Sequence, residues 1–95
     1  MSTPASLPVQ SNQSVAVGRW MAVIYNNDVT PFDRVIEALM VATDCELEEA
    51  QIETWEAHTY GKAPVHFDSR TTCEGVAAVI TSFGIRTEVE PEWKD

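Results

Sequence analysis

Asn26, Asn27 and Asp28 stand side by side in the stretch YNNDVTPFDRV, which runs from Tyr25 to Val35. The stretch follows an apolar run and begins an amphipathic one, so a turn belongs there. A turn needs fewer such residues, whose side chains accept hydrogen bonds from the backbone just ahead. The surplus either closes the loop further or binds something, and its acceptors and single carboxylate suit a polar or cationic group. Two histidines lie further along, His58 and His66. One falls on a helix pattern and one on a strand pattern, which is not ligand spacing, so no metal or other cofactor is expected. Asp28 and His58 could form an acid–base pair, but no Ser or Cys is placed beside them as a nucleophile. A short chain also leaves little for a second substrate wall, so an enzyme is not expected.

The composition narrows the partners. The chain has 95 residues, enough for one small hydrophobic core, with 15 acidic and 6 basic side chains and a net charge of −9. Binding to nucleic acid or to an anionic membrane relies on basic residues that displace counterions, so neither partner is expected. An acidic domain suits a partner with basic surface or a cationic ligand. Cys45 and Cys73 are the only cysteines and form no C-x-x-C, which points to reduced core thiols and a cytoplasmic protein. Residues 1–18 carry no charged side chain and are rich in Ser, Pro, Gln and Asn. They lack the basic start and apolar run of a signal peptide and read as a flexible N-terminal extension, leaving 19–95 as the domain.

The elements that must position the polar cluster follow from periodicity. RWMAVIY, 19–25, is bulky and apolar, a buried strand. Thr30 reads as a helix N-cap, with Pro31 first in the helix and Asp33 completing a capping box; Phe32, Val35, Ile36, Leu39 and Met40 follow at helical spacing to about residue 43. A second helix spans 44–61, with Asp44 as its cap and Gly61 as its end. One of its faces carries Leu47, Ala50, Thr54, Ala57 and His58; Ile52 and Trp55 lie round the side, so contacts on two sides are expected. APVHF, 63–67, is a strand that Pro64 restricts to an edge or a strand start. A third helix over 70–83 carries Cys73, Val76, Ala77, Ile80 and Phe83 as its core stripe and can end at Gly84; IRTEVE, 85–90, alternates as a half-wet strand. The fold class is α+β: a β-α-α-β-α-β domain with three helices packed on a small three-stranded antiparallel sheet.

With the elements placed, the sequence resembles the ClpS family of adaptors, which deliver substrates to Clp ATPase–proteases. NNDVTPF, 26–32, stands where the family has a strand running into N-x-D-x-T-P, and HTYGKA, 58–63, matches its H-x-x-G-K-like segment. The resemblance implies an adaptor that binds N-degron substrates, proteins with a free N-terminal Leu, Phe, Tyr or Trp. Asn26, Asp28 and His58 match the positions that hold the α-amino group. Thr30, Phe32, Val35, Thr54, Ala57 and Ile85 match the side-chain pocket. That role fits the chemistry of the residues, since an ammonium offers three donors and needs converging acceptors, one of them a neutral imidazole. The implied partners are a Clp-family AAA+ ATPase, of the ClpA or ClpC type, and N-degron polypeptides, met by a monomer.

Departures from the family pattern locate what is particular to this chain. Phe32 and Thr54 stand where members often carry Met, and Ala57 where they carry Val, so the pocket should be deeper along the second helix and narrower near Phe32. Asn27 replaces the commoner acid, which leaves one carboxylate in the cluster. Thr71 and Val76 stand in place of the Glu and Lys that members use to dock on the ATPase. A competing reading is a protein–protein interaction domain of ribosomal-stalk-like architecture, which would bind through a helix surface and lacks N-x-D-x-T-P with a distant His.

Overall fold

The structure, a computed structural model, describes residues 19–93. The flexible extension expected over 1–18 lies outside the described residues. The elements run β1 (Trp20–Tyr25), α1 (Phe32–Thr43), α2 (Leu47–Tyr60), β2 (Lys62–Asp68), α3 (Arg70–Ser82) and β3 (Thr87–Pro91). The strands form one antiparallel sheet in the order β2-β1-β3, so the apolar first strand is central and the two later ones are edges. This is the β-α-α-β-α-β layer expected from the periodicities.

Ala22 and Ile24 of β1 alternate into a core shared with Ala38 and Leu39 of α1, Ala50 and Ala57 of α2, and Cys73, Val76 and Ile80 of α3. Val76 is therefore turned inward, and of the pair at the family's docking positions only Thr71 is exposed. Cys45 and Cys73 are free thiols, and burial pushes the Cys73 thiol up, as expected of an inert core cysteine. Pro64 sits on the edge strand next to an irregularity: Ala22 faces His66 while Val23 faces Pro64, which leaves Val65 as the extra residue. Edges and bulges are where a residue without an N–H does least harm to a ladder.

Three local expectations change. Thr30 is not the N-cap of α1; Pro31 precedes the helix, has no side-chain cap and accepts the Arg34 and Val35 N–H groups through its carbonyl. Asp44 does not begin α2. It ends α1 in the left-handed region at φ 60, donating its N–H to the Met40 carbonyl, a conformation that Asp tolerates better than most residues. Among the described residues no second layer packs against Ile52 and Trp55, which stay 58 % and 52 % exposed.

Candidate functional site

The hydrogen bonds distinguish the three polar residues after β1. Asn27 builds the turn: its Oδ1 accepts from the Val29 N–H at 3.0 Å and the Thr30 N–H at 2.7 Å, and its Nδ2 donates to the Gly84 carbonyl at 3.5 Å. It thus closes an Asx turn ahead of α1, whose own N-terminus has no side-chain cap, and it links the β1–α1 loop to the lead into β3. Asn26 is held by its backbone, whose N–H donates to the Gly61 carbonyl at 3.0 Å. Gly61 adopts φ 93, a conformation open to glycine at little cost, and so ends α2 next to Asn26. The Asn26 Nδ2 donates weakly to Asp28 Oδ1 at 3.4 Å, and the Asp28 side chain is exposed. After the turn is satisfied, the Asn26 carbonyl oxygen and the Asp28 carboxylate remain available as acceptors.

Beside this rim is a pocket of about 300 Å³, part of it open solvent, lined by Ile24, Tyr25, Asn26, Asn27, Thr30, Phe32, Val35, Thr54, Ala57 and Ile85. The six residues read as a pocket wall therefore line one space, although they come from the β1–α1 loop, α1, α2 and the lead into β3. Thr54 and Ala57 are buried, one helical turn apart, and Ile85 closes the floor at 2 % exposure. The Thr54 hydroxyl donates to the Ala50 carbonyl at 2.7 Å. Its donor is thus used within the helix, and the wall keeps an apolar character.

Asp28 and His58 stand outside the lining and border it through neighbours. His58, exposed on the last turn of α2, packs its ring edge-on against Phe32, with centroids 5.1 Å apart and planes at 72°. Phe32 is 45 % exposed at the start of α1 and so roofs the pocket. Arg34 fixes the α1 entry by donating from Nε to the Phe83 carbonyl at 3.1 Å while its guanidinium lies over the Phe83 ring.

Ile24, Tyr25 and Asn27 belong to the lining, and the sequence offered little sign of the first two. Tyr25 reads only as the end of an apolar strand. In the fold its ring is flanked by Arg86 at 4.1 Å and Lys62 at 5.9 Å, and its hydroxyl donates to Glu90 Oε2 at 3.1 Å. Burial and then the Glu90 contact push its phenol up, so it stays neutral at physiological pH. Among the described residues no cluster of His, Cys, Asp or Glu could hold a metal ion. No described helix is long and apolar enough to cross a membrane.

The sequence pattern of the family described as ATP-dependent Clp protease adaptor protein ClpS matches residues 17–90. The chain is 32 % identical over 73 residues to the E3 ubiquitin-protein ligase UBR1 of Mus musculus, a match that covers 77 % of this chain and 4 % of the ligase. The chain thus spans only a small part of that relative. Its fold is similar to the solved structure of Agrobacterium tumefaciens ClpS2 bound to L-phenylalaninamide, with a TM-score of 0.75 and 23 % identity, covering 79 % of this chain and 98 % of that one.

Proposed function

This chain belongs to the ClpS family of Clp protease adaptors, and we propose that it grips the free N-terminus of polypeptides with a bulky apolar first residue. It would hand them to a Clp-type AAA+ ATPase, of the ClpA or ClpC type, in the cytoplasm. The observation that carries this reading is the division of labour after β1. Asn27 alone satisfies the turn, which leaves Asn26 and Asp28 on the rim of an apolar pocket, with His58 against its roof. Agrobacterium ClpS2, whose fold is similar, was solved bound to L-phenylalaninamide, a ligand with a free amine and a large apolar side chain, which supports this reading. The protein acts in this reading as a monomeric adaptor without catalysis.

The energetics require both halves. Burying a large apolar side chain contributes about 1.5–3 kcal/mol, whereas micromolar affinity needs about 8 kcal/mol. Acceptors facing an ammonium must contribute a comparable share. Acetylating the N-terminus removes the charge and two donors and adds bulk. It should cost at least ~100-fold, or about 2.7 kcal/mol. Titration of a peptide with Phe or Leu first, free and acetylated, tests this point. Equal affinity for the two forms would sink the adaptor reading.

A further inference from the structure

The roof of the pocket continues outward along α2. His58 packs on Phe32, and Trp55 is its neighbour one turn back on the same helix. Ile52 lies one turn further back, and Glu48, Gln51, Ile52 and Trp55 line a shallow groove on the outer face. No other element of the described residues covers Ile52 or Trp55, which are more than half exposed. The Trp55 ring is held edge-on by Tyr60, with centroids 5.8 Å apart. Contiguous exposed apolar surface of this kind, next to a binding pocket, marks a contact site.

The charges around the groove state what it fits. The helical neighbours of Ile52 at three and four residues are Glu48, Glu49, Glu56 and Trp55, so its apolar centre is framed by carboxylates. A second copy of this chain would bring the same carboxylates against themselves, and an acidic partner would be repelled likewise. The complement is a segment that carries both apolar and basic side chains. Trp55, which lines the groove, lies one helical turn from His58 at the pocket roof, which makes the bound polypeptide itself the nearest source of one. Six residues of helix from His58 to Ile52 rise about 9 Å, a span that about three extended residues cover.

We propose that the outer face of α2 from His58 through Trp55 to Ile52 extends the substrate groove. It would take apolar and basic side chains at about the third to fifth positions of the captured polypeptide. The inference rests on the N-terminus reading given above and adds a sequence preference downstream of it.

The test uses the full chain and three ligands: phenylalaninamide, a Phe-initiated peptide with Leu and Lys at positions three to five, and the same peptide with Ser and Glu there. Affinities come from fluorescence anisotropy or calorimetry. The Leu/Lys peptide should bind the wild type at least ~10-fold tighter than the Ser/Glu peptide. Because the preference is a ratio within one protein, partial loss of folded material does not mimic a change in it. Trp55→Ala and, separately, Ile52→Glu should each bring the ratio to about 2-fold or less. Phenylalaninamide binding with equal affinity for the two peptides overturns this inference and leaves the pocket reading intact. Failure to bind phenylalaninamide overturns both. A ratio that survives in both variants would trace the preference to the overall acidity of the chain or to another exit route, and overturns the inference. So would dimerisation of the free protein that Trp55→Ala abolishes, since the face would then belong to a second copy.

Discussion

At the scale of single residues, the candidate site separates structure from binding within consecutive positions. Asn27 holds the loop through two backbone N–H groups, whereas the Asp28 side chain makes only a 3.4 Å contact at the surface. Asn27→Ala should therefore lower stability by about 0.5–2 kcal/mol, the net worth of one or two turn hydrogen bonds. Under the proposed function, Asp28→Ala should leave the melting midpoint nearly unchanged yet weaken binding of a Phe- or Leu-initiated peptide by roughly 30-fold, about 2 kcal/mol, because it would remove the carboxylate assigned to the ammonium. Thermal melts and peptide titrations on the two variants check this; an Asp28→Ala protein that melts early and binds normally would make Asp28 structural. Phe32 belongs to the same scale. Its ring roofs the pocket against His58 where it could have been a flexible thioether, and a rigid ring selects shape. Phe32→Ala should admit peptides that begin with Ile or Val and that the wild type rejects. An unchanged preference across a panel of first residues would show that the ring does not gate entry.

At the scale of elements, α2 carries the most divided duties. Its inner face supplies Ala50, Thr54 and Ala57 to the core and pocket, and its flank holds Glu49, Glu53 and Glu56 close together. Burial, followed by the hydrogen bond to and charge of Glu49, pushes the Glu53 carboxyl up to about 8 from an ordinary 4.5, and its Oε1 finds no hydrogen-bond partner among the described residues. Between those values the folded chain keeps a proton that the unfolded chain has released. The contribution of Glu53 to stability is thus full below about pH 4.5 and is lost as the pH rises to about 8. Glu53→Gln should remove that slope and stabilise the protein at the alkaline end by on the order of 1–2 kcal/mol, discounted for the solvent that reaches a half-buried group. Denaturant melts of the two proteins at acidic, neutral and mildly alkaline pH measure the difference. Parallel curves would show that Glu53 is solvated and ionised in the fold.

At the scale of the whole molecule, the sequence by itself determined the order and type of every described element. The continuous apolar run of β1, the alternation of β3, the helical stripes of α1 and α3, and the glycines at 61 and 84 are local signals, legible because they depend on backbone geometry over a few residues. Pro64 declared its strand an edge for the same reason, since a missing N–H excludes the middle of a sheet. The family motif added which residues to bring together, and the wall from Thr30 to Ile85 does line one pocket. Only the tertiary structure decided the rest. Which of Asn26, Asn27 and Asp28 closes the turn depends on a loop that also reaches the Gly84 carbonyl, at the far end of the chain. That Tyr25 lines the pocket, with Arg86 and Lys62 over its ring from the two flanking segments, is likewise a tertiary outcome. That Ile52 and Trp55 stay more than half exposed among the described residues could not be read from their apolar character, which equally suits a second packed layer. Each of these outcomes is set by contacts between segments distant in sequence, and periodicity, being local, carries no information about which distant segment arrives or whether one arrives at all.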